Sequence, residues 1–242
     1  MTPDSSRWVS CGIGCAMTLI ASPVWAEPSG EISSPVVGKG ETEFEAIYGR
    51  LSGGPDSGED ILRLEVSHSV SDRLRLAIRG EIERPPGGPR ELEALSFEAI
   101  YELGRVGGID VGFYGEYEAV FDGSDKLEGK LLLERKAGPF DAKLNLIAAK
   151  SLASGNPLEF GYAASADVEA IGELRLGLAA FGGLGTTDNF LPRADHYLGP
   201  VVKTEIEGLG PELEIEAGYL FALGKAKDDS DGQFRLVVEM EF

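Results

Sequence analysis

The chain has 242 residues, with 22 basic and 41 acidic side chains and a formal charge of −19. That balance argues against nucleic-acid binding, because phosphates would be repelled. Hydrophobic residues make up 43% of the chain, yet beyond the N-terminus no apolar run approaches the roughly twenty residues of a spanning helix.

In chain order, Met1 to Arg7 forms a short leader with one basic residue, and Trp8 to Ser22 is mostly apolar or small. That stretch is too short to cross a bilayer as a helix. Val24-Trp25-Ala26 places small or aliphatic residues at the −3 and −1 positions, which predicts a signal peptide over residues 1–26, cut before Glu27. An N-terminal anchor and a lipoprotein site at Cys15 fit less well, since the residues before Cys15 lack a long apolar lead. Cys11 and Cys15 both fall in the removed part, so the mature chain has no thiol for a disulfide, a nucleophile or a metal. Asp4 and Arg7 leave together, so the mature charge stays at −19 (21 basic minus 40 acidic residues). Residues 27–40, rich in Gly, Pro and Ser, read as a flexible periplasmic lead-in.

From Glu41 onward, apolar and charged residues alternate in segment after segment, the period of a strand with two unlike faces. Leu62, Leu64 and Val66 stand against Arg63 and Glu65. Leu74, Leu76 and Ile78 stand against Arg75, Arg79 and Glu81, and Leu95, Phe97 and Ala99 against Ser96 and Glu98. Val111, Phe113 and Tyr117 oppose Glu116 and Glu118, and Leu127, Leu131 and Leu133 oppose Lys130 and Glu134. Later segments set Leu144 and Leu146 against Lys143, Leu174 and Leu176 against Arg175, and Val202 against Lys203 and Glu205. Leu213 and Ile215 face Glu214 and Glu216.

About twelve such segments of ten or eleven residues are expected, an even number, each long enough to cross an apolar band of roughly 25 Å when tilted. Short turns at Val70–Arg73, Gly104–Gly108, Ala137–Pro139, Ile171–Gly172 and Gly208–Pro211 alternate with longer loops at Ser52–Asp60, Arg84–Arg90, Asp122–Asp125, Ser151–Asn156, Gly185–His196 and Gly224–Gly232. The pattern predicts an all-β fold: an antiparallel up-and-down transmembrane barrel over residues 41–242, with both termini periplasmic. Open strand edges cannot be satisfied in lipid, so the sheet must close. A secreted β-sandwich is the rival architecture. Two places resist. Leu92, Leu95, Ala99 and Leu103 also fit helical spacing, and Pro200 sits inside a predicted strand, where a bulge or the outer rim would accommodate it.

The chain ends on Phe234, Leu236, Val238, Met240 and Phe242, an apolar face backed by Arg235, Glu239 and Glu241. With the cleavage motif and the repeated hairpins, this ending resembles a Gram-negative outer-membrane β-barrel protein. The resemblance implies export by the signal peptide, passage with periplasmic chaperones, assembly into the outer membrane by the barrel-assembly machinery through that terminal segment, and contact with outer-membrane lipid and lipopolysaccharide. A monomer is expected.

The inward parity collects Arg63, Glu65, Arg75, Arg79, Glu81, Glu98, Glu116, Glu118, Lys130, Glu134, Lys143, Arg175, Lys203, Glu205, Glu214, Glu216, Arg235 and Glu239 as lumen-lining candidates. Charges taken out of water must be hydrated or paired. A wet lumen with surplus carboxylates favours cations, whereas a laced one makes a closed structural or surface barrel. The leading expectation is a narrow cation-preferring pore or small-solute channel without a cofactor. A lipid-directed hydrolase is a third reading, but its only bases are His68, with outward parity, and His196, in a predicted loop. No catalytic or metal residues are assigned. Asp228-Asp229-Ser230-Asp231-Gly232 lacks the first and last ligands of a calcium loop.

Overall fold

A computed structural model describes residues 30–206, 208 and 210–242. The predicted signal peptide and both cysteines lie outside the described residues. Twelve strands run in chain order: β1 Thr42–Ser52, β2 Asp60–Ser69, β3 Leu74–Arg84, β4 Glu91–Val106, β5 Ile109–Val120, β6 Lys126–Ala137, β7 Phe140–Ser151, β8 Glu159–Ile171, β9 Leu174–Thr186, β10 Asp195–Ile206, β11 Glu212–Gly224 and β12 Gly232–Glu241. Each pairs antiparallel with its sequence neighbour, and β1 pairs with β12, closing the barrel. The closing ladder runs from Glu43 opposite Glu241 to Ser52 opposite Gly232. The terminal segment Phe234–Phe242 therefore lies on the seam where the sheet meets itself.

The burial pattern is inverted relative to a protein packed in water. Val66, Ile78, Phe97 and Phe113 are 53–58% exposed on the outside, while Arg79, Glu98 and Lys130 are 3–6% exposed inside. Aqueous proteins bury aliphatic side chains and rarely bury ion-forming ones. The sandwich rival fails on this point. Its apolar face would lie between two sheets, whereas here it covers the outer wall of one closed sheet.

The hairpin rhythm matches the expected alternation of tight and long connections, so one rim carries the short turns and the other the long loops. β4 is a strand, and its helical spacing has a local cause. The β3–β4 register shifts between Glu81 and Ile82, which pair with Ala94 and Leu92. The β4–β5 register shifts again between Glu102 and Gly104. The extra residue at Glu93 lets Leu92 and Leu95, three apart, both face outward.

Pro200 corrects the expectation of a bulge or a rim position. It lies mid-strand in β10 opposite Leu178, and the register to β9 and β11 is unshifted. The ladder to β11 simply omits Gly199 and Pro200 between Leu198 and Val201. Pro200 is exposed on the outer wall, where the missing donor is carried by an interrupted ladder rather than a bent strand.

Candidate functional site

The lumen is the candidate site, and alternation builds it: every second residue of each strand points inward. All eighteen lumen-lining residues picked from the sequence have this inward parity. They divide into two unlike sectors.

The first sector is laced, most densely from β2 to β6. Arg79 lies 2.9 Å from Glu98 and 2.5 Å from Glu116, and Arg63 lies 2.5 Å from Glu81. Lys130 holds Glu128 at 3.2 Å and stands over the Tyr114 ring at 4.0 Å. Lys126 pairs with Glu118 at 3.0 Å, and Arg75 pairs with Glu43. Across the lumen, Lys203 pairs with Glu214 at 2.6 Å and Arg235 with Glu216 at 3.0 Å. Lys143 stands opposite Glu134 in the ladder, and Arg175 pairs with Asp167.

The second sector is a row of carboxyl groups that meets the first at Glu214, the partner of Lys203. Glu65 on β2 stands opposite Glu45 on β1, and Glu45 opposite Glu239 on β12. Glu239 in turn opposes Glu214 on β11, which opposes Glu205 on β10. Five carboxylates thus occupy one continuous register row across five strands. Among the described residues, Glu45, Glu65 and Glu239 form no ion pair. Like charges directly opposite one another weaken a sheet, a cost that Lys203 eases at Glu214.

The expected flexible periplasmic lead-in covers residues 27–40; of these, 27–29 lie outside the described residues and 30–37 run inside the barrel, held by its wall. The Glu31 carboxylate sits 2.6 Å from Arg79 and 3.2 Å from Lys130. Asn145 on β7 accepts from the Ser33 amide at 2.7 Å and donates to the Ser33 carbonyl at 3.0 Å. Ser34 donates to Glu134, and the Val37 amide donates to Glu102 at 3.1 Å. Val37 packs with Ile100, Tyr114 and Leu132. Pro35 lies against Gly112, where an added Cβ would approach its Cβ to 2.8 Å. The physical reason is complementarity: the wall offers cations to Glu31 and amide partners to a segment with no strand neighbour of its own.

Above this segment the lumen turns apolar. Leu51, Phe181, Tyr197, Val201, Leu220 and Ala222 form one buried cluster that includes Ala226 from a one-turn 3-10 helix, Ala226–Asp228. That helix belongs to the loop Lys225–Asp231, which therefore folds into the long-loop mouth as a cap. Asp231 donates its amide to the Ser52 carbonyl at 2.9 Å, and Asp56 to the Asp229 carbonyl at 3.0 Å. A cavity of about 60 Å³, room for a few waters, remains between segment and cluster. At the short-turn rim a wider hollow of about 270 Å³ opens among Arg175, Lys203, Glu205 and Glu214. The apolar closure has a signal in the sequence, because Leu51, Phe181, Tyr197 and Leu220 have inward parity at the long-loop ends of their strands.

The cap should respond to pH. Burial, with Asp56 and Asp229 alongside, pushes the Glu59 carboxyl up to about 6. A raised carboxyl contributes stability in its protonated form, fully present below the ordinary 4.5 and lost as pH rises through about 6. A nitroxide label placed by Lys227→Cys should therefore be less mobile below pH 4.5 than above pH 6, and Glu59→Gln should reduce that difference.

Neither histidine faces the lumen. His68 is exposed, with Nδ1 2.9 Å from Thr42 Oγ1. His196 lies in β10 rather than in a loop, beside Tyr162 at 3.3 Å. No carboxylate pairs with either ring among the described residues. A base needs an orienting group to activate a hydroxyl, so replacing both histidines by alanine should leave phospholipid and lipid A profiles unchanged in extracts of cells making the protein. Glu41, Glu43 and Glu241 cluster at the short-turn rim, where Glu43 already serves Arg75.

No family model and no curated relative matches the sequence. Solved structures do match the fold. An outer membrane channel from Pseudomonas putida is 12% identical, with 85% of this chain and 96% of that one covered and a TM-score of 0.60. A KdgM porin is 10% identical, with 83% and 98% covered and a TM-score of 0.56. The fold is that of an outer-membrane β-barrel. A second structure, the KdgM porin in complex with disordered oligogalacturonate, is 12% identical with a TM-score of 0.54. At these identities the likeness concerns the barrel frame. The contents of this barrel's lumen, the carboxylate row and the threaded segment, are read from its own residues.

Proposed function

We propose that the protein resides in the outer membrane, with the short-turn rim periplasmic, and acts as a narrow, cation-preferring channel for small solutes. The row Glu65–Glu45–Glu239–Glu214–Glu205 carries this reading. A cation between neighbouring carboxylates relieves repulsion that the sheet otherwise bears, and rings of carboxylates select cations in this way. The inverted burial pattern supports placement in lipid, and the porin and channel neighbours share the frame. Phe234, Leu236, Val238, Met240 and Phe242, on the closing strand, would serve as the assembly signal, and no cofactor is needed. Reconstitution into planar bilayers under a salt gradient tests the function. Conductance steps with a reversal potential of cation sign are expected. Anion preference would count against the reading.

The filled lumen favours a second reading, a closed barrel with a structural or surface role. Residues 30–37 and the apolar cluster occupy the lumen, with a cavity of about 60 Å³ between them. A chain that never conducts, even after the segment is loosened, would favour this alternative.

A further inference from the structure

We propose that the inner wall around Arg79, Lys130, Asn145 and Arg235 is a binding site for short extended peptides bearing a carboxylate, with residues 30–37 as its resident occupant. The proposal rests on the channel reading only for the route by which a peptide arrives. The seat reads the main chain at three points. Asn145 bonds both the amide and the carbonyl of Ser33, the pairing a neighbouring strand would supply. Glu102 accepts the Val37 amide, and Arg235 donates to the Gly30 carbonyl at 2.5 Å. None of these contacts depends on the occupant's side chains.

One side chain is read by charge. Glu31 lies between Arg79 and Lys130, both at most 4% exposed. Shape is read where Pro35 meets Gly112 and where Val37 enters the apolar group of Ile100, Tyr114 and Leu132. A segment built into the sheet would be stitched backbone to backbone over its length. This one is held at separated points by side chains of six strands, so a second peptide of the same chemistry can take its place.

The probe is a fluorescent octapeptide with the sequence of residues 30–37, titrated by anisotropy against the full chain folded in detergent. Glu31→Lys sets a further cation beside Arg79 and Lys130 and expels the resident, and it should bind the probe about tenfold more tightly than the wild type, whose seat is filled. A probe with glutamine in place of its glutamate should bind that variant about tenfold more weakly, the scale of one charge-assisted hydrogen bond. Heat-modifiable gel mobility checks that the variant is folded. If it is not, Glu31→Gln in the full chain replaces it with the same expectations in direction. The absence of saturable binding to the folded variant, or equal affinity for the two probes, overturns the proposal. Conductance is not the readout, so a barrel that binds the probe without conducting refutes the channel reading and leaves this one standing.

Discussion

Arg79→Ala should lower the stability of the folded barrel by about 3–5 kcal/mol, the scale for removing one partner of a buried ionic cluster. The guanidinium serves Glu31, Glu98 and Glu116 at 2.5–2.9 Å and is 4% exposed. Without it, three carboxylates converge on a space that water reaches poorly, and Lys130 and Arg63 remain as the cations near Glu31. Urea unfolding in detergent, or the temperature at which heat-modifiable mobility is lost, measures the effect. Arg79→Lys keeps the charge but not the fork that reaches several oxygens at once, so it should fall between the two. A loss near zero would mean that the cluster is hydrated and the lumen wet. The same variant separates the two functional readings. In a channel occupied by its own segment, loosening Glu31 raises conductance as stability falls, whereas in a closed structural barrel stability falls alone.

The frame of this barrel is legible in the sequence because an apolar outer face and a charged inner one force a period of two on every strand, and because tight turns and long loops differ in composition. Glu212–Gly224 and Gly232–Glu241 show this plainly, each with glutamates on one parity and apolar residues on the other. Legibility fails where the period breaks. The extra residue at Glu93 makes Leu92 and Leu95 fall at helical spacing, and only the neighbouring strand reveals the bulge. Pro200 marks a missing donor without saying whether the strand bends or the ladder skips. The threaded segment is harder still. Gly30, Ser33, Ser34 and Pro35 have no periodicity, and their partners lie 77 to 205 positions away in the chain at Gly112, Asn145, Glu134 and Arg235. The carboxylate row falls between these cases. The inward parity of each glutamate is readable, but that five of them share one register row depends on pairings set by four separate ladders.

That row supports the other large prediction. Replacing Glu45 and Glu239 together by glutamine removes two adjacent carboxylates while keeping side-chain length, and should bring the reversal potential in a potassium chloride gradient close to zero. A unit charge about 4 Å from a cation in water is worth about 1 kcal/mol, or roughly fivefold in occupancy, so losing two should abolish most of the selectivity. The variant should also be at least as stable as the parent, because each glutamine relieves like charges facing each other across the ladder. The two effects run in opposite directions, and a packing defect would not produce both. Residues held for stability lose it when replaced. A row that behaved in this way would be there to meet a cation. If the double variant lost stability and kept its selectivity, the carboxylates would be structural, and the filter would have to be sought at the Arg175, Lys203, Glu205 and Glu214 hollow instead.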